Sequence, residues 1–181
     1  AARALLATIA TFVFFEILPH FPVGVSEVHF ILGSTLFLIF GVAPAAFGLA
    51  AGLLIQGLFF APIDLPQYFM NLTSLLVPLF ALSVIAKAVI APNTAYADLS
   101  YRQALMLSTS YQAGVVGWVA FWVFYGQGFG AETFASVGLF GMAYMSVIIL
   151  EPVVDLAVLA LAKMMRDTPA SGLMQPRVYS A

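Results

Sequence analysis

The chain has no cysteine, only six lysines and arginines, and eight acids in 181 residues. Without cysteine there are no disulfides, no thiolate metal sites and no thiol catalysis, and nothing about redox compartment can be read. Charged residues make up 8% of the chain, against roughly 25% in an ordinary soluble domain. A water-facing surface cannot be built from so few. The net charge of −2 also supplies no basic face, which argues against nucleic acid as a partner. Enzyme signatures are missing as well. There is no HExxH, no GxSxG and no glycine-rich phosphate loop, so metalloprotease, hydrolase and nucleotide-binding readings have no support, and any ATP use belongs to another chain. The opening Ala1-Ala2-Arg3 runs directly into an apolar segment without a cleavage site, and no signal peptide is expected.

What the chain has is apolar length. It is 63% hydrophobic with a mean hydropathy of +1.06, the composition of a protein whose solvent is lipid. Apolar runs separated by Pro, Gly and charged residues predict an all-α, polytopic transmembrane bundle. Six helical segments are expected, at about 4–18, 28–42, 45–60, 67–90, 102–125 and 133–164. Treating 28–60 as one helix would give about 50 Å at 1.5 Å per residue, too long for a hydrocarbon core of about 30 Å, so the break falls at Gly41-Val42-Ala43-Pro44. With six crossings Arg3, Lys87, Arg102, Lys163, Arg166 and Arg177 share the side of the termini, whereas Glu27, Asp64 and Glu132 lie in the opposite loops. The positive-inside rule then places both termini in the cytoplasm. The 28–42 segment is short, expected to part-cross and to begin deep in the bundle with His29 at its start, as in broken-helix sites. In the last helix Pro152 is expected to introduce a kink, with Glu151 and Asp155 one turn apart and facing protein or the cytoplasmic interface. The bundle is taken as residues 1–166, and 167–181 as a cytoplasmic tail without a core of its own.

Polar residues concentrate between Phe12 and Pro78: His20, Glu27, His29, Gln56, Asp64 and Asn71, interleaved with Pro and Gly. Hydrocarbon penalises both polar groups and broken backbone, so this is where binding or movement is expected. His20 follows Pro19 in a loop and reads either as a solvated histidine or as a ligand. His29 opens a short segment after a Gly/Ser/Glu loop, where an imidazole either accepts a divalent transition metal or serves as a structural hydrogen bonder. Gln56 and Asn71 are expected inside the bundle, hydrogen-bonding across helices. Glu16 and Glu27 either form a cation path or are simply solvated. Met70, Met142 and Met145 sit at core spacing, and Trp118, Trp122 and Tyr125 at belt spacing.

Taken in order, Phe12-Val13-Phe14, Phe21-Pro22-Val23, Val28-His29-Phe30-Ile31-Leu32-Gly33, Gly41 to Pro44, Ile55-Gln56-Gly57-Leu58-Phe59-Phe60 and Met70-Asn71 to Pro78 resemble the CbiM/NikM family. These are the membrane substrate-capture subunits of energy-coupling factor cobalt and nickel transporters. The resemblance covers residues 5–90 and, further on, rests on the acid in Ile148-Ile149-Leu150-Glu151. It implies import of Co²⁺ or Ni²⁺ as substrate across a bacterial inner membrane, with no covalent cofactor, together with a transmembrane coupling subunit and cytoplasmic ATPase subunits. It implies a nitrogen-rich metal site in which His29 matches the family's loop-to-helix histidine. Gln56 and Asn71 match amides around the site, His20 stands where an Asn is common, and Glu27 is a neighbouring polar group. The family's Met-His opening has no counterpart at Ala1-Ala2-Arg3. Two functions therefore stay open: a transport subunit, distinguished by a Met-His segment upstream, and a non-transporting scaffold of a larger membrane complex.

Overall fold

The computed structural model describes residues 1–180. Long apolar runs satisfy their backbone polar groups internally, and the result is an all-α bundle with one small hairpin. Helix α1 (Ala2–Phe12) ends in a π-helical turn, Val13–Ile17, and is followed by strands β1 (Phe21–Val23) and β2 (Ser26–Val28). Then come α2 (Gly33–Phe40), α3 (Val42–Phe59), a 3-10 turn Pro62–Gln67, α4 (Tyr68–Val89) and α5 (Tyr101–Gln127). The chain closes with α6 (Ala131–Met145), α7 (Glu151–Met164) and a tail of short 3-10 turns. The segments Val42–Phe59, Pro62–Val89 and Ala131–Met164 are long and apolar enough to cross a membrane. Their outward faces carry large apolar side chains such as Phe47, Phe80, Val84 and Leu161, each more than half exposed or close to it, as lipid contact demands.

Helix α2 is the organising element. It spans eight residues, about 12 Å at helical rise, and every residue from Gly33 to Ile39 is buried. It packs on α1, α3, α4, α5 and α7 at once. Gly33 makes this possible, since a Cβ there would lie 2.1 Å from Cζ of Tyr111. Helices α1 and α3 run side by side in the same direction. Gly48 receives Ala7 and Gly52 receives Thr11, and a Cβ on either glycine would fall within 2.7 Å of those residues.

The structure corrects three expectations. The helix expected at 28–42 begins only at Gly33, because Ser26–Val28 is taken up in antiparallel pairing with Phe21–Val23. The hairpin turns through Gly24 and Val25, with Gly24 at φ +62 and no positive φ at Val25. Positive φ at the first central residue alone is the pattern of a II′ hairpin turn. Leu32, at φ 52 and ψ 43, then redirects the chain into α2, so His29 precedes the helix. The helix expected at 133–164 is not kinked at Pro152 but divided. A 3-10 turn, Ser146–Ile149, separates α6 from α7, and Pro152 sits in the first turn of α7. Proline has no N–H and its ring clashes with the carbonyl four residues earlier, which puts the break before it. The residues after Arg166, read as a tail without a core of its own, lie against the bundle. Val178 is fully buried, Arg177 donates to the Ala91 carbonyl and stacks over Tyr96, and Gln175 bonds to the end of α2. The third correction lies at Gln56 and Asn71, whose side chains bond to no other helix among the described residues.

Gly33→Ala should be destabilising because Tyr111, fully buried, has no room to withdraw. Overpacking of this kind costs about 1–3 kcal/mol, and thermal unfolding in detergent should show a clear drop in Tm that Gly33→Ala combined with Tyr111→Leu partly recovers. An unchanged Tm for the single variant would contradict the packing described.

Candidate metal-capture site

At the end of the bundle that carries the hairpin, a cavity of about 190 Å³ opens between β2, α3, α4, α5 and α6. One water needs about 10–15 Å³ by such a measure, so the space holds an ion with part of its hydration shell. Its polar lining includes Glu27, His29, Gln56, Asp64, Gln67 and Asn71. Each arrives for a local reason. Glu27 lies in β2 and His29 follows directly after it, on the same side of the chain, since alternate residues of a strand point the same way. Gln56 comes from the last turns of α3, and Asp64 and Gln67 from the 3-10 turn that Pro62 and Pro66 enforce. Asn71 and Ser74 lie three apart on α4 and so share a face.

The His29 Nε2 lies 3.2 Å from Glu27 Oε2, with the imidazole 12% and the carboxylate 47% exposed. His29 Nδ1 is enclosed and has no hydrogen-bond partner. The ring packs against Phe15 and against His20, whose ring centroid is 5.2 Å away at an interplanar angle of 24°. Burial, and secondarily the neighbouring His20, push the His29 pKa down to about 4, so the ring is neutral at ordinary pH. Neutral imidazole is the metal-binding form. Two donors each about 2.1 Å from a first-row ion at right angles stand about 3 Å apart, close to the observed Nε2–Oε2 separation.

The structure brings His29, Glu27, Gln56 and Asn71 to one cavity and adds Asp64, Gln67 and Ser74. His20 does not line it. It stacks behind His29, with Nδ1 3.4 Å from the Leu18 carbonyl oxygen. Gln56 is buried and Asn71 half-buried. Neither bonds across to another helix among the described residues, contrary to expectation, because their amides open onto the cavity instead. Gln67 and Ser74 were missed, although the spacing of 67, 71 and 74 places all three on one helical stripe. No three His, Cys, Asp or Glu side chains converge at metal-binding distance among the described residues. Amide oxygens, water or further chain must complete any coordination shell.

The family model described as the cobalt uptake substrate-specific transmembrane region matches residues 1–168. The chain belongs to this family. No curated protein matches it, and no solved structure does. Membership makes the protein a membrane component of cobalt uptake, and it fits the apolar bundle and the donor-lined cavity at one end.

Because the folded-state pKa of His29 lies below its ordinary value of 6.5, the unfolded chain binds more protons between those two values. Stability is therefore full above pH 6.5 and falls as pH drops toward 4, by roughly 3 kcal/mol in all. Nitrogen NMR on labelled histidine should show His29 titrating near 4, and a midpoint at or above 6.5 would contradict the enclosure described.

Proposed function

We propose that this chain is the substrate-capture subunit of an energy-coupling factor type transporter, taking Co²⁺ or Ni²⁺ into the cavity at His29. The observation that carries this is the convergence of one neutral imidazole, two carboxylates and three carboxamides on a single space. All can present lone pairs, and no lysine or arginine lines the cavity. A cation is the ligand such a lining favours. Glu27, the more exposed of the pair, meets the hydrated ion first. His29 then replaces water with nitrogen, which favours late divalent transition ions over Mg²⁺ and Ca²⁺. The same preference places Ni²⁺ above Co²⁺ in intrinsic affinity, so both are accepted as substrate.

Orientation follows from charge. Lys163, Arg166 and Arg177 gather where the tail meets Asp98, Tyr179 and Ala91. Lys87 and Arg102 lie at the α4 and α5 ends of the same region, and Arg3 lies at the start of α1 beside the start of α3. The cavity occupies the opposite end. Under the positive-inside rule the cavity faces out and both termini face the cytoplasm of a bacterial inner membrane. There the chain works with a transmembrane coupling subunit and ATPase subunits, since it has no nucleotide-binding motif.

In cells expressing the whole transporter, His29→Ala should abolish cobalt and nickel accumulation at matched membrane abundance. Glu27→Gln, which replaces a charged carboxylate donor beside the ring by a neutral amide, should reduce metal affinity by about tenfold or more. Uptake by His29→Ala equal to the unaltered protein would remove the histidine from the mechanism. Cysteines placed at Glu132 and Asn93 should label from opposite faces of the membrane, and labelling from one face would overturn the orientation.

A further inference from the structure

Deeper in the bundle than the cavity, and separated from it by Tyr144, which lines the cavity, two acids are sealed. Glu151 is 0% and Asp155 1% exposed, one turn apart on α7 and met by Ser34 and Thr35 of α2 and Ser108 and Gln112 of α5. By helical rise Gln112 lies about 16 Å from the start of α5 and about 22 Å from its end. The pair is thus near the middle of the bundle.

Counting hydrogens shows that the cluster is one short. Ser34 Oγ is 3.1 Å from Glu151 Oε1 and 2.8 Å from Asp155 Oδ2, yet a hydroxyl carries a single hydrogen. With both acids ionised, one of these contacts would set oxygen lone pairs against each other. The remaining donors are already committed: the Ser34 backbone N–H also reaches Glu151, Thr35 Oγ1 donates to Asp155 Oδ1 at 2.5 Å, Ser108 Oγ to Glu151 Oε2 at 2.5 Å, and Gln112 Nε2 to Glu151 Oε2 at 2.7 Å. An independent observation points the same way. On the same amide that bonds Glu151, Gln112 Oε1 is fully enclosed without any donor, whereas the enclosed Tyr144 hydroxyl keeps a hydrogen that no acceptor takes.

Charge gives the same result. The ion pairs among the described residues are His29 with Glu27 and Lys163 with Asp98, so no base neutralises the buried acids. Two uncompensated carboxylates at bilayer depth are not sustainable. The groups facing the pair from neighbouring helices are Ser34 and Thr35 on α2, Ser108, Tyr111 and Gln112 on α5, and Tyr144 on α6, of which only the tyrosines titrate. Oxygen–oxygen separations of 2.5–3.1 Å are those of direct hydrogen bonds, leaving no space for a metal ion with its own ligand shell.

We propose that Glu151 and Asp155 form a membrane-embedded binding site for one proton, shared between the two carboxyls through the Ser34 hydroxyl. One carboxylic O–H donates to Ser34 Oγ, and Ser34 donates onward to the other carboxylate. The single remaining negative charge sits at the N-terminal ends of α2 and α7, where helix dipoles favour it. Bound, the proton fastens α7 to α2 and α5. Its release to water leaves two carboxylates facing each other and pushes α7 away from the helix that starts four residues after His29. This site stands on its own geometry and does not depend on metal capture.

The test is infrared spectroscopy of the purified protein in lipid nanodiscs at neutral pH. The unaltered protein should show the C=O stretch of one protonated carboxylic acid, shifted in heavy water. Glu151→Gln and Asp155→Asn should each remove that band, because the amide supplies the missing hydrogen and the other acid then stays ionised. No such band in the unaltered protein, or a band that persists in both variants, would overturn the proposal. Loss of the band on adding sodium or cobalt chloride would also overturn it, by showing that a metal cation occupies the site. If neither variant folds, presence or absence of the deuterium-sensitive band in the unaltered protein decides.

Discussion

A helix of eight residues buried on every side cannot leave its ends to solvent. Its terminal N–H and C=O groups must find partners within the protein, since each buried unsatisfied group costs about 1–3 kcal/mol. Much of this bundle is arranged around that demand. At the far end of α2, Gln175 Nε2 donates to the Phe37 and Leu38 carbonyls at 2.8 and 2.6 Å, and its backbone N–H donates to Ile39 at 2.8 Å. A residue near the end of the chain thus caps a helix near its beginning, which explains why the tail lies against the bundle. At the near end, Ser34 and Thr35 engage the acids of α7. Helix α2 therefore ties together the tail, α7 and α5.

The same helix sets the geometry of the cavity. Its N-terminus stops deep in the bundle, so the chain between hairpin and helix descends without regular structure from His29 to Leu32, where a left-handed residue turns it into α2. Strand backbone at Glu27 places it and His29 on one side, two residues apart, where a helix would have splayed them by about 200°. Gly24 holds the hairpin close to α6, where a Cβ would strike the Ser136 carbonyl at 2.3 Å. His29 is therefore enclosed by the packing of Phe15 and His20, which keeps the imidazole neutral.

How much of this was legible depended on which physical signal a residue carries. Hydrocarbon-scale runs marked the helices, and the Gly41–Pro44 break fell where expected, because glycine at φ +88 is a local property. Apart from His20, which stacks behind His29, the polar residues singled out between Phe12 and Pro78 do converge on the cavity, since polar groups in an apolar chain have few other places to go. Short-range pairing was harder to see. Phe21–Val23 and Ser26–Val28 are three residues each, too brief for an alternating pattern, and only Gly24 hinted at the turn. The docking of Gln175 depends on contacts across more than 130 residues and leaves no local trace. Spacing showed Glu151 and Asp155 on one face of a helix, but not that Ser34, Thr35, Ser108 and Gln112 would surround them.

The central claim is that the cavity at the head of α2 binds the transported cation through His29. X-ray absorption at the cobalt edge tests it most directly, using the purified protein loaded with stoichiometric Co²⁺. The account predicts a mixed nitrogen and oxygen shell with the outer-shell scattering of imidazole, lost in His29→Ala. Identical spectra for the two proteins, or a shell of oxygen alone in the unaltered one, would contradict it.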